Sequence, residues 1–319
     1  MREGCFAARF LCLFLDRRAN APYAWSMSKR VGDGKSSSFP FPTLHADVID
    51  GEMAYFDVGE GEPIVFVHGL VGDFTHFEHV AQRLVANGRR VIGVDLPGCG
   101  ASHKRRERHD LSGYARDVLT LLDVLDVPSA VLAGHSAGGA IVAEAALRAP
   151  SRVSKLVLLS SAGLRRYAAG THLAAKAVLR PWLLERSLDR LAMPLLDLVL
   201  KEKNQYTAKF IADSLDRPKQ PASMEMARVM ADLVPDLMHA SVLDRAHHFR
   251  MPVMVLWGDT DRLIPKESAE LLSQRLLRGR LVMLPGCGHM PMIERPEFVT
   301  AELERFLGPV VIPEQRRAA

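Results

Sequence analysis

Gly134, His135, Ser136, Ala137 and Gly138 form a G-x-S-x-G pattern between an apolar strand-like run, Ala130 to Ala133, and an alanine-rich helical pattern. A serine on so sharp a strand-to-helix turn is held in a strained conformation above the sheet edge, and a side chain at Gly134 or Gly138 would collide with its neighbours. The first turn of the helix that follows directs free N–H groups and partial positive charge at the same place, which favours a developing oxyanion. The five residues alone also fit an ordinary small-residue helix start; the strand before them and the helix after them favour the turn. A serine hydroxyl is a weak nucleophile at neutral pH. It needs a histidine to take its proton and a carboxylate to fix that histidine's tautomer. Among 12 histidines, His289 lies in the loop after the last expected strand, where Gly286 and Gly288 let backbone approach closely. Asp261 lies in the loop after the preceding strand, with Asp259 two residues before it as a rival. Taken with Asp261, the chain order is Ser, Asp, His.

A sheet must position these residues. Apolar runs predict strands at Ala46–Ile49, Ala54–Val58, Ile64–His68, Val91–Asp95, Ala130–Ala133, Val153–Leu159, Val253–Trp257 and Leu281–Leu284. Helical spacing falls at Phe77–Ala86, Leu111–Leu125, Ala137–Ala149, Glu267–Leu277 and Pro296–Phe306. Alternation of this kind implies an α/β fold, and the continuous Val/Ile/Leu character of the later strands fits parallel strands buried on both faces. Residues 164–250 break the alternation: no strand is evident, prolines recur, and Met226, Met230, Leu233 and Leu237 keep helical spacing. This stretch reads as a helical cap inserted after the sixth strand. The expected organisation is an N-terminal extension at 1–44, a core at 45–163, the cap at 164–250 and the rest of the core at 251–319.

From about His45 to Pro309 the chain resembles the α/β-hydrolase fold superfamily of the Ser-His-Asp type, close to carboxylesterases and monoacylglycerol-lipase-like enzymes. The resemblance rests on Val67-His68-Gly69-Leu70, on Asp95 to Ser102, on Gly134 to Gly139, on Trp257 to Pro265 and on Gly288 to Pro296. It implies a mostly parallel eight-stranded sheet with flanking helices. It also implies Ser136 as nucleophile, His289 as base and Asp261, the second aspartate of its pattern, as acid. Leu70 and Ala137 would give backbone N–H groups to the oxyanion, with His68 and Gly69 in the supporting loop. Asp259 is then expected to brace its turn, Asp95 to be structural, and His135 to turn away from the nucleophile. Relatives that open epoxides or displace halide use an aspartate where this chain has Ser136. An ester hydrolase working through an acyl-enzyme is therefore the expected function. A carbon–carbon hydrolase of ring-fission products is the alternative, although such enzymes often carry a tryptophan where this chain has Met290. A non-catalytic binding protein of the same fold usually lacks a triad member, and here all three positions are filled.

Composition narrows the classes further. With 41 basic and 37 acidic residues in 319, the net charge of +4 offers no dedicated nucleic-acid face. Cys5, Cys12, Cys99 and Cys287 form neither a disulfide framework nor a C-x-x-C pair. No nucleotide or metal motif occurs, so no cofactor is expected. A small-molecule ester is the expected partner and the cytoplasm the expected location. An apolar patch from Cys5 to Leu15 suggests an export signal as an alternative, but it is interrupted by Arg9 and too short to span a membrane. Residues 26–43 read as a disordered lead-in, and Met27 is an alternative start. The +4 belongs to residues 1–44, with 7 basic and 3 acidic groups; residues 45–163 hold 11 and 15, the cap 14 and 10, and residues 251–319 hold 9 of each. The basic excess of the cap reads as a solvated face, with a membrane surface as the alternative. Its methionines, and Met290 and Met292 beside His289, read as packing, with an adaptable apolar pocket as the other reading. The run His103 to His109 reads as a surface loop.

Overall fold

One twisted sheet of eight strands carries the molecule, in the order β1-β2-β4-β3-β5-β6-β7-β8. The strands are β1 Leu44–Val48, β2 Gly51–Val58, β3 Pro63–Val67, β4 Arg90–Val94, β5 Ala130–His135, β6 Val153–Leu159, β7 Val253–Gly258 and β8 Gly279–Leu284. β1 and β2 are antiparallel to their neighbours and β3 to β8 are parallel. The computed structural model describes residues 39–49, 51–216 and 223–310. The Cys5–Leu15 patch and Met27 lie outside them.

Residues of the inner strands β3 to β7 are mostly buried on both faces, and alternation assigns each side chain to a layer. Val65 and Val67 of β3 join one apolar cluster while Ile64 and Phe66 join the other. The first cluster takes up the inner faces of α2 Leu111–Val124 and α3 Ala137–Arg148. The second takes up α1 Glu78–Ala86 and the C-terminal helix Pro296–Leu307. Burying a leucine or phenylalanine side chain there contributes about 1.5–3 kcal/mol. The expected lead-in ends earlier than residue 43. Phe39 and Phe41 pack against Phe56, with ring centroids 5.2 and 5.1 Å away, because two aromatic rings gain more from that contact than the segment loses in freedom.

The chain runs from β3 outward to β4, then returns to the other side of β3 as β5. Ligands of such sheets bind outside the carboxyl ends of the strands where the direction of winding reverses. Here Val67 pairs with Gly134, so the loop after β3 and the turn after β5 emerge side by side.

Between β6 and β7 the chain builds helices: α4 Ala169–Val178, α5 Pro181–Val199, α6 Gln205–Asp216, α7 Ser223–His239 and the short α8 Val242–Arg245. α4 and α5 both pack on α7. Pro194 and Pro235 lie inside α5 and α7 rather than ending them. After β7 come α9 Glu267–Arg275, the single turn α10 Pro291–Glu294 and α11 Pro296–Leu307.

Candidate active site

Ser136 has φ 51° and ψ −116°, a backbone conformation that costs a non-glycine residue about 1–3 kcal/mol and persists only where its surroundings hold it. Those surroundings are backbone at close quarters. A Cβ on Gly134 would lie 2.3 Å from the Gly138 carbonyl oxygen, and one on Gly138 would lie 2.3 Å from that of Val67. The Ser136 amide donates to the Leu159 carbonyl and the Ser136 carbonyl accepts from Ala162, so β6 and the residues after it clamp the turn.

His289 Nδ1–H donates to Asp261 Oδ2 over 2.8 Å, and both side chains are buried, 2% and 0% exposed. The other carboxylate oxygen accepts from the amides of Leu263 and Ile264 at 2.8 and 2.9 Å, which holds the acid's orientation. Trp257 Nε1–H donates to the Ile264 carbonyl and braces the same loop. His289 Nε2 has no hydrogen-bond partner. His289 is one of the residues that line a cavity of about 170 Å³, together with Ser136, Leu70 and Ala137. Ala137 opens α3, at the end of a helix where backbone N–H groups are free of intrahelical partners.

The neighbouring residues brace this arrangement. His68 accepts the Leu96 amide at Nε2, 3.0 Å away, and its Nδ1 lies 2.7 Å from the Gly69 carbonyl oxygen, so the ring ties the loop after β3 to that after β4. Asp95 accepts from the amides of Phe74 and Ala101. Asp259 accepts from the Gly286 amide over 2.7 Å, a turn brace away from the histidine ring. His135 does not simply turn away: it lines the cavity and donates from Nε2 to the His289 carbonyl over 2.9 Å. Complete burial, with the His289 ring next to it, pushes its pKa well below the ordinary histidine value, so it stays neutral.

Two residues near the site had no role in the sequence reading. Glu294, 1% exposed, accepts from the amides of Gly288, Met290, Lys201 and Glu202. It thereby clips the histidine loop to the residues after α5, a link reinforced where the His289 amide donates to the Val199 carbonyl over 2.8 Å. The other is His76, edge-on to Phe210 in the cavity wall. A carboxylate five residues after His289 was visible in the chain, but its partners some ninety residues away were not.

The cavity is apolar and joins core to inserted helices. Leu195 and Leu196 of α5 and Met226 and Met230 of α7 face Leu70 and Met290 across it. The methionines at 226, 230 and 290 thus line a pocket, while Met238 and Met292 pack in the core. The run from His103 to His109 is not wholly a surface loop. Arg105 pairs with Asp117 inside the protein, and His109 is fully buried between Glu225 and Tyr114, because α7 covers this segment. Burial pushes the Asp117 carboxyl up to about 6 even with the guanidinium beside it.

A family model described as the alpha/beta hydrolase fold matches residues 62–296. The chain is 32% identical over 294 residues to the dihydrolipoyllysine-residue acetyltransferase component of the acetoin cleaving system of Pseudomonas putida, covering 87% of this chain and 72% of that one. It is 27% identical over 307 residues to lipase 1 of Psychrobacter immobilis, covering 92% and 93%. Among solved structures it is similar to a bacterial membrane phospholipase A, at TM-score 0.72 and 27% identity over 84% of this chain and 86% of that one.

Proposed function

We propose that this chain, which belongs to the α/β-hydrolase fold family, hydrolyses carboxylic esters with small to medium or lipid-like acyl groups through an acyl-enzyme on Ser136. One observation carries the reading: His289 is held at Nδ1 by Asp261, its Nε2 has no hydrogen-bond partner, and the residue lines an apolar cavity together with Ser136. Ser136 Oγ attacks the ester carbonyl carbon as His289 Nε2 takes the hydroxyl proton. The tetrahedral oxyanion receives the N–H groups of Leu70 and Ala137, each worth about 3–4 kcal/mol in such sites. Collapse expels the alkoxide, which leaves with the proton from His289. A water deprotonated by the same nitrogen then attacks the acyl carbon and frees the acid. The helices from 164 to 250 act as a cap that supplies the outer wall of the acyl pocket. The lipase and phospholipase relatives support ester chemistry.

Neutral substrates suit the cavity better than a ring-fission dienoate, since no lysine or arginine among the described residues lines it to meet a carboxylate. A second reading is acyl transfer to an acceptor other than water, favoured by the acetyltransferase name of the relative from Pseudomonas putida. Labelling with a fluorophosphonate probe tests the nucleophile: wild type labels and Ser136→Ala does not, and equal labelling overturns the assignment. A panel of nitrophenyl esters of rising chain length, run with and without a dithiol acceptor and beside a dienoate, separates the reactions. Turnover of the dienoate alone, or acylated dithiol in place of free acid, would replace the ester reading.

A further inference from the structure

The outer surface of α4 and α5 has a composition that the cavity does not explain. Leu173 on α4 and Trp182 on α5 are 71% and 53% exposed, which leaves an isobutyl group and an indole in water on the two helices. Their spacing is regular. Leu173 and Lys176 are three residues apart on α4, and Trp182, Arg186 and Arg190 follow at four-residue steps along α5, with the exposed Arg180 in the extended link between the two helices. Each set therefore occupies one stripe. The buried residues of the same helices, Ala175, Leu184 and Leu191, lie off these stripes, toward the packed interior. Among the described side chains from 165 to 190, every exposed charge is cationic. The Arg186 guanidinium lies 5.7 Å from the Trp182 ring centroid, a pairing that keeps an aromatic body and a positive head at the same depth.

We propose that this surface docks on an anionic phospholipid bilayer, with Leu173 and Trp182 entering the headgroup–acyl boundary and the lysine and arginines lying on the phosphates. Two observations favour lipid over another partner. A nucleic acid or an acidic protein would match the cations but leaves Leu173 without an apolar contact, whereas a bilayer interface satisfies both halves of the stripe. In addition, α5 is continuous with the cavity: its outer stripe begins at Trp182, and Leu195, Leu196 and Val199 further along the same helix form the cavity wall. No helix among the described residues is long and apolar enough to cross a membrane, so the contact is with a surface. The segment at 1–44 is itself net basic, which makes it a poor cover for this face.

Flotation of the full-length chain with vesicles of phosphatidylcholine containing one-third phosphatidylglycerol tests the surface. The Ser136→Ala background keeps the lipid intact. Docking requires no turnover, so Ser136→Ala alone floats while losing ester hydrolysis, and failure of the surface is distinguishable from failure of the catalytic reading. The doubly neutralised Arg180→Gln, Arg186→Gln chain should partition about twenty-fivefold more weakly, at about fivefold per charge, and raised salt should mimic it. Leu173→Ser with Trp182→Ala should weaken partition by about tenfold or more. With Ser136 restored, both pairs should cleave a short nitrophenyl ester at the wild-type rate and melt at the wild-type temperature, which separates docking from misfolding. Flotation of the variants equal to that of the parent overturns the proposal, as does equal binding to pure phosphatidylcholine. Absence of flotation overturns it too, whether the chain instead binds DNA or polyglutamate through its arginines, dimerises through Trp182, or binds nothing.

Discussion

Two buried histidine–carboxylate pairs lie among the described residues, and they differ at one atom. His289 and Asp261 meet at 2.8 Å between the loops after β8 and β7; His109 and Glu225 meet at 3.1 Å between the segment before α2 and the start of α7. Both histidines are buried. His109 spends its second nitrogen on the Tyr114 hydroxyl, 2.7 Å away, whereas the second nitrogen of His289 has no partner and the residue lines the cavity. A closed pair is a fastening. An open one is able to move a proton to something that enters. Burial and a carboxylate are thus common to both, and the unpartnered nitrogen of a residue that lines a cavity with Ser136 is what distinguishes His289.

Substitutions should pull the two pairs apart. Asp261→Asn should lower kcat for a nitrophenyl ester by about 10³–10⁴-fold with little change in melting temperature, because the histidine loses its tautomer and the charge behind its imidazolium. Retention of more than a tenth of the activity would place the acid elsewhere. Glu225→Ala should do the reverse. It leaves His109 Nε2 buried without its partner, so unfolding in urea should show a loss of about 1–3 kcal/mol while kcat falls less than about tenfold.

Acid sharpens the contrast through the buried histidines. Burial is the main cause that lowers the pKa of both His135 and His109 in the folded chain. The unfolded chain, where histidine titrates near its ordinary 6.5, then binds protons the folded one refuses. The stability they contribute is complete above pH 6.5 and declines as pH falls through it toward the lowered folded-state values. Urea titrations at about pH 6.5 and 5.5 should show the loss, and His135→Gln should reduce it. A flat profile would mean that these rings are charged in the native state. Asp259→Asn should be the mildest change: it weakens one turn hydrogen bond, costs about 1 kcal/mol or less, and leaves kcat within about threefold, in contrast with its neighbour two residues on.

Much of this was readable along the chain because local pattern and local structure agree. β6 occupies the expected Val153–Leu159, and the ends of the other seven strands shift by one or two residues, or three where β2 opens at Gly51. The turn at Ser136 was legible from Gly134 to Gly138 together with the strand before and the helix after them, and the close packing at Gly134 and Gly138 leaves no room for side chains there. Interactions that cross from one element to another were not. The strand order, with β4 inserted between β2 and β3, depends on which edges meet. Arg105 and His109 read as a charged loop until α7, more than a hundred residues later, covered them. Glu294 looked like any surface glutamate until its four amide partners converged on it. α5 and α7 continue through Pro194 and Pro235, since packing of the surrounding turns outweighs a lost hydrogen bond.

The clip between Glu294 and the residues after α5 sets the terms on which this protein could exchange modules with its relatives. A chimera that takes its inserted helices from another chain would ordinarily be cut at the ends of β6 and β7. Here such a cut replaces Val199, Lys201 and Glu202 without their counterpart. The donor would have to present a carbonyl to the His289 amide and two adjacent amides to Glu294, or leave a buried carboxylate short of half its donors. The smallest transplantable unit therefore ends before Val199, with residues 199 to 204 kept as native sequence beside the loop from Gly288 to Glu294.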